Sequence, residues 1–306
     1  MLYSWIHLTL YVVFSSVFTL CIKWVHVRGK GDIVAAGAIN YIVAALLIAP
    51  WFVIDGQQTG DLPAMIAGGS MGAVYFIAFF FVIWCVRVVG ASSTSVVSVL
   101  SMLIPIIFAA IVWRDQPSAL QSFGIGLALL SLILIAVKPA KQSTNDHKST
   151  KKDLKESSSA WTATLILGGF FFLCGLSRVA QEAFKHVSPE TQKPTFLLAA
   201  FVVTAVPSTI LLLRRRRRIL AEEAIVGITM GVANGSQVWF TLKALDLMPG
   251  FIFFPVSSAG AIIFTMICAV MFLEEKISRR ALIGIGIAVV ALVMMNFGPG
   301  PTVEVH

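Results

Sequence analysis

Long apolar runs alternate with short polar breaks along this chain. A helix needs ~20 apolar residues to cross the hydrocarbon of a bilayer. Ten runs reach or approach that length: 2–25, 33–54, 62–86, 91–113, 118–137, 160–184, 195–213, 223–245, 250–273 and 279–297. The breaks between them carry turn chemistry. Residues 55–61 and 114–117 are polar, Arg214–Arg218 is a run of arginines, and Pro249-Gly250 is a turn dipeptide. Residues 139–159 have no apolar face and are rich in Lys and Ser, the composition of a disordered tether. The pattern predicts an all-α integral membrane protein with ten transmembrane helices.

The two sides of the tether repeat each other. Residues 90–136 align on 250–296 without gaps, and eleven positions are identical, among them Gly90/Gly250, Ser98/Ser258, Gly124/Gly284, Gly126/Gly286 and Ala128/Ala288. Upstream, Gly68-xxx-Gly72 matches Gly227-xxx-Gly231 after a one-residue gap. Small residues four apart let a neighbouring helix backbone come close. Spans 1–2 and 6–7 match only weakly, through residues 22–25 and 184–187. The expected organisation is a first five-helix repeat over 1–138, the linker 139–159, a second repeat over 160–298 and a short tail, 299–306. An odd number of helices per repeat starts the second half from the other side of the bilayer. The two five-helix repeats are therefore expected to be inverted, about a pseudo-twofold axis in the membrane plane.

Composition agrees with the spans. Mean hydropathy is +0.88, and 12% of residues are charged, against about 25% in an average soluble domain. The first run begins at Leu2 without a basic leader or a small-residue cleavage site, and reads as a retained helix. The net charge of +8 sits in loops between spans, so it does not point to nucleic acid. Loops 1–2, 3–4, 5–6, 7–8 and 9–10 hold 18 of the 23 Lys and Arg residues. The positive-inside rule places that face in the cytoplasm and both termini outside, and the expected location is the plasma (inner) membrane.

Four cysteines, Cys21, Cys85, Cys174 and Cys268, lie in apolar runs and read as small buried hydrophobes. No His or Cys group has metal spacing, no catalytic constellation stands out, and there is no phosphate-binding G-x-x-x-x-G-K-[ST] stretch. No cofactor or metal is expected. Polar groups inside a bundle turn away from lipid, toward protein, water or solute. The candidates at depth are Tyr11 and Ser15 in span 1, Asn40 and Tyr41 in span 2, Tyr75 in span 3, and Ser95 and Ser98 in span 4. The second half adds Asn234, Gln237 and Trp239 in span 8 and Ser257 and Ser258 in span 9. A membrane serine most often bonds its own helix. An amide has donors and acceptors that its own helix cannot satisfy, so Asn40, Asn234 and Gln237 are the stronger candidates. Trp239 is the one tryptophan expected away from a span end. Arg178 and Glu182 are four apart, spaced to pair with each other near the end of span 6. Spans 5 and 10 have almost no polar residue at depth and read as peripheral, facing lipid or a second copy of the chain.

The polar fourth helix of each repeat closes in an acidic turn, Trp113-Arg114-Asp115 and Leu273-Glu274-Glu275-Lys276. A glycine-bearing fifth helix follows, from Ser118 through Gly124 and from Ser278 through Gly284. With the two tandem five-helix halves, this resembles the drug/metabolite transporter superfamily and, within it, the EamA-like ten-helix transporters. The resemblance implies a central cavity lined by spans 1–4 and 6–9, alternating access without ATP hydrolysis, and cytoplasmic termini, the last opposite to the charge count. The expected function is secondary transport of a small organic solute: an amino acid, sugar, nucleoside or drug-like metabolite. The competing classes are a channel or a sensory or structural membrane protein, and a membrane-embedded enzyme. The expected partners are the solute, the lipid bilayer and a second copy through spans 5 and 10.

Overall fold

The computed structural model describes residues 2–28, 32–54, 61–114, 117–136, 156–214, 219–273 and 279–297. They form ten α-helices: α1 (Leu2–Arg28), α2 (Ile33–Ile54), α3 (Leu62–Leu100), α4 (Leu103–Phe108), α5 (Ala119–Ala136), α6 (Glu156–Val187), α7 (Lys193–Arg214), α8 (Ala221–Leu245), α9 (Gly250–Leu273) and α10 (Arg279–Phe297). A π-helical stretch, Ala109–Trp113, extends α4, and a 3-10 turn, Glu190–Gln192, precedes α7. Among the described residues, five stretches are long and apolar enough to cross a membrane: Tyr3–Ile22, Ile33–Ile54, Leu62–Cys85, Thr164–Val187 and Glu190–Arg214. Leu103–Trp113, Ala119–Ser131, Gly250–Thr265 and Leu282–Ala291 are apolar but shorter.

Predicted spans 3 and 4 are not separated by a non-helical loop. The backbone is helical without a gap from Leu62 to Leu100. It nevertheless folds back. Tyr75 accepts a hydrogen bond from Gln181 of α6 at 3.0 Å, and the Cys85 Sγ reaches the Ile166 carbonyl at 3.7 Å, so α3 first runs antiparallel to α6. A straight continuation would carry Ser98 roughly 20 Å beyond Cys85. Instead the Ser98 carbonyl accepts a bond from Arg178, back up α6, at 3.1 Å. The reversal lies between Cys85 and Ser98, the region where the sequence divides spans 3 and 4. A separate, non-helical break comes at Ser101–Met102, and Pro105 explains it. A proline ring clashes with the carbonyl four residues earlier, here Ser101, and disfavours helical geometry at the residue before it. In the first turn of α4, Pro105 has no amide to lose.

The glycine pairs mark where helices touch. A Cβ at Gly68 or Gly72 of α3 would run into the backbone carbonyls of Phe196 or Ala200 of α7. A Cβ at Gly227 or Gly231 of α8 would approach the carbonyls of Ala36 at 2.9 Å and Asn40 at 2.7 Å in α2. The α3–α7 contact is also closed by Thr204, whose hydroxyl donates to the Gly72 carbonyl at 2.9 Å. Each glycine-bearing helix thus packs on the second helix of the other half.

Two further contacts fix the helix ends. Glu223, buried near the start of α8, accepts bonds from the Asp32 amide at 2.7 Å and the Leu220 amide at 3.0 Å. Asp32 in turn caps α2 through the Val34 amide at 2.9 Å. The α2 and α8 N-termini therefore meet, which brings loops 1–2 and 7–8 to one face. Helix α5 packs lengthwise on α10, with Gly124, Ala128, Gly284 and Ala288 all buried. Their outer faces, including Phe123, Leu130, Ile283 and Val290, are exposed and apolar. Helix α6 begins within the predicted linker, at Glu156. The rest of the linker, the acidic residues Asp115, Glu274 and Glu275, and Arg215–Arg218 lie outside the described residues.

Candidate functional site

Aromatic and polar side chains from four helices converge around Tyr75. Its hydroxyl accepts from Gln181 Nε2 at 3.0 Å and lies within electrostatic reach of Tyr41, Tyr11 and Arg178. Tyr75 is half-buried. Tyr41 is buried in the core formed with Phe184, Phe196 and Phe201. Tyr11 meets Phe253 edge to face at 5.4 Å.

Arg178 joins this group because the chain breaks opposite it. Where α3 ends at Ser101, a carbonyl loses its helical donor. The Ser98 carbonyl takes replacements from Ser101 Oγ at 2.6 Å and Arg178 Nη1 at 3.1 Å, and Nη1 also bonds Ser101 Oγ at 2.7 Å. A cation at a helix C-terminus is favoured by the helix dipole. The pairing of Arg178 with Glu182 suggested by their spacing gives way to these contacts. Glu182 is fully buried and lies against Gly250, where a Cβ would strike its carboxylate.

The predicted second-half residues divide. Asn234 is buried and accepts from Gln237 Nε2 at 3.0 Å, so these two amides stay together. Trp239 packs on the core around Tyr41, edge to face with Trp51 at 4.4 Å and with Lys243 Nζ 5.7 Å above its ring. Ser257 is buried and bonds the Phe254 carbonyl of its own helix at 3.2 Å. Ser258 is half-buried. Ser15 is half-buried and lends its carbonyl to Thr19 Oγ1 at 2.9 Å. The Asn40 Oδ1 is buried with no hydrogen-bond partner among the described residues. The Ser95 side chain lies outside the described residues.

Gln181 escaped the sequence reading, and Arg178 entered it only as a partner for Glu182. Helical spacing shows only neighbours on one helix, and the partners of Arg178 stand about 80 positions away in the chain. Lys193 escaped too. It reads as a loop charge, but it is buried and pairs with Asp246 at 2.6 Å. With Phe184 against Phe196 at 4.8 Å and Trp113 stacked on His186 at 4.3 Å, these contacts draw together one end of the bundle.

A comparison with curated proteins finds no match. One solved crystal structure superposes with a TM-score of 0.73, covering 95% of this chain and 95% of that one at 13% identity, a likeness of fold alone. The profile described as the EamA-like transporter family matches twice, over residues 3–137 and 160–297. The chain belongs to the EamA-like transporter family, and is a multi-pass membrane transporter of the drug/metabolite superfamily built from two copies of that unit.

Proposed function

We propose that this protein is a secondary carrier, with ten transmembrane helices in two inverted halves that alternate access to a central site for a small organic solute. The observation that carries this reading is the exchange of contacts between the halves. Gly68 and Gly72 pack on Phe196 and Ala200; Gly227 and Gly231 pack on Ala36 and Asn40. The two sets correspond residue for residue at offsets of 159 and 160 in the chain. Reciprocal packing of this kind supports a twofold relation between the two copies. Repeats related by such an axis let one bundle open to either side at similar energy, which is the basis of alternating access.

The convergence of Tyr11, Tyr41, Tyr75, Gln181 and Arg178 suits a site that holds a solute by a few polar contacts and an aromatic wall. The plasma (inner) membrane is the expected location, with the face bearing loops 1–2 and 7–8 in the cytoplasm. The exposed apolar sides of α5 and α10 face lipid or a second copy. Counterflow in proteoliposomes tests the carrier reading. Preloaded unlabelled solute should drive transient uphill entry of the labelled solute. Entry that follows the gradient and is indifferent to solute on the other side would mark a channel.

A further inference from the structure

We propose that Arg178 receives the carboxylate of the transported solute, which makes the substrate class small organic carboxylates with an apolar or aromatic body. This rests on the carrier reading above and assigns the chemistry of its central site.

The argument begins with the cost of the charge. Arg178 lies within the apolar stretch Thr164–Val187, where a cation is expensive and is retained for a function. Its hydrogen-bond partners, the Ser98 carbonyl and the Ser101 hydroxyl, are neutral, and both use Nη1. Among the described residues, no hydrogen bond is seen from its other guanidinium nitrogens, and the residue is half-buried rather than enclosed. Glu182, one turn further along, is turned to Gly250 at the start of α9. A planar guanidinium anchored at one corner presents its remaining N–H groups as a fork, the geometry that matches a carboxylate.

The surroundings narrow the ligand. Tyr75, bonded to Gln181 one turn along α6 from Arg178, brings an aromatic ring and a hydroxyl near the cation, which suits an apolar body next to the anionic group. One cation balances one negative charge. The cation that is buried among the described residues, Lys193, is committed to Asp246 and Glu190. A phosphate monoester, with nearly two charges, would lack its second partner. The site also breaks the internal symmetry. Framework contacts recur in both halves, but the positions equivalent to Arg178, 160 to 162 residues earlier, are Ser16, Val17 and Phe18. A feature present in only one half is not required by the packing both halves share.

The test is thermal unfolding of the full-length protein in detergent with paired probes. Phenylacetate, phenylalanine, leucine and nicotinate are each compared with the corresponding amide, and phenyl phosphate is added as an alternative anion. At least one acid should raise the melting temperature while its amide does not. In Arg178→Gln the half-saturating concentration of that acid should rise at least about tenfold, the loss of roughly 1.4 kcal/mol of binding. Arg178→Lys, with the charge but not the fork, should fall between. The acid–amide comparison in the unaltered protein stands even if Arg178→Gln does not fold. Equal stabilisation by acid and amide, undiminished acid binding in Arg178→Gln, a response to phenyl phosphate alone, or no response to any acid would each overturn the proposal. Counterflow of a neutral amide in the same protein would leave the carrier reading intact while removing the carboxylate.

Discussion

Lys193, the first residue of α7, forms an ion pair with Asp246, just past the end of α8, at 2.6 Å, with the two side chains only 1% and 9% exposed. A buried pair is costly to assemble and costlier to break, because the remaining charge is stranded. Lys193→Met should lower stability by about 3–5 kcal/mol, and Lys193→Met with Asp246→Leu should recover most of it. Thermal unfolding of the three proteins in one detergent measures this. A double variant no better than the single one would show that the charges do not act as a pair.

The same carboxylate gives a pH dependence. Burial raises the Asp246 carboxyl above its ordinary value, against the opposing pull of Lys193. The folded state then binds the proton more readily than the unfolded chain, so this residue's contribution to stability is largest at low pH and is lost as pH rises through the folded value. As pH falls from neutral toward the ordinary carboxylate range, the unaltered protein should gain stability relative to Asp246→Asn. Melting temperatures across that range decide it, and a relative loss on acidification would mean that Lys193 outweighs burial.

Glycines at the helix contacts should differ sharply from glycines that face open space. A methyl at Gly72 or Gly231 meets the other half at once, while Gly126 and Gly286 have nothing within 4 Å of an added Cβ. Gly72→Ala and Gly231→Ala should each cost about 1–3 kcal/mol through overpacking. Gly126→Ala and Gly286→Ala should be neutral or gain up to about 1 kcal/mol from better helix propensity. Equal effects in the two sets would remove the reciprocal packing from the account.

Asn40 separates stability from function. Its Oδ1 is buried without a partner among the described residues, a condition that costs about 1–3 kcal/mol. Asn40→Leu should therefore raise the melting temperature, and it should lower counterflow several-fold if this oxygen serves the solute. Full counterflow in a stabilised variant would take Asn40 out of the site.

Helix positions were largely legible from the apolar runs, because a membrane span writes its length directly into the chain. Spans 33–54, 250–273 and 279–297 match α2, α9 and α10 to the residue. The glycine contacts were legible as a spacing but not as partners, since a Gly-xxx-Gly pair says that something comes close without saying what. Arg178 and Lys193 were misread for one reason. Sequence spacing ranks neighbours on a single helix, whereas both residues are held by partners more than 50 positions away.

The central claim is that two related halves open the site to opposite sides in turn. Ser98 and Ser258 occupy equivalent positions in the two repeats. The direct measurement starts from a protein whose four cysteines are replaced and which carries Tyr75→Cys in α3. Labelling by an impermeant thiol reagent is then followed from each face, with Ser98→Trp or Ser258→Trp added. The account predicts that one tryptophan abolishes labelling from one face and the other abolishes it from the opposite face. Loss from the same face in both would contradict it.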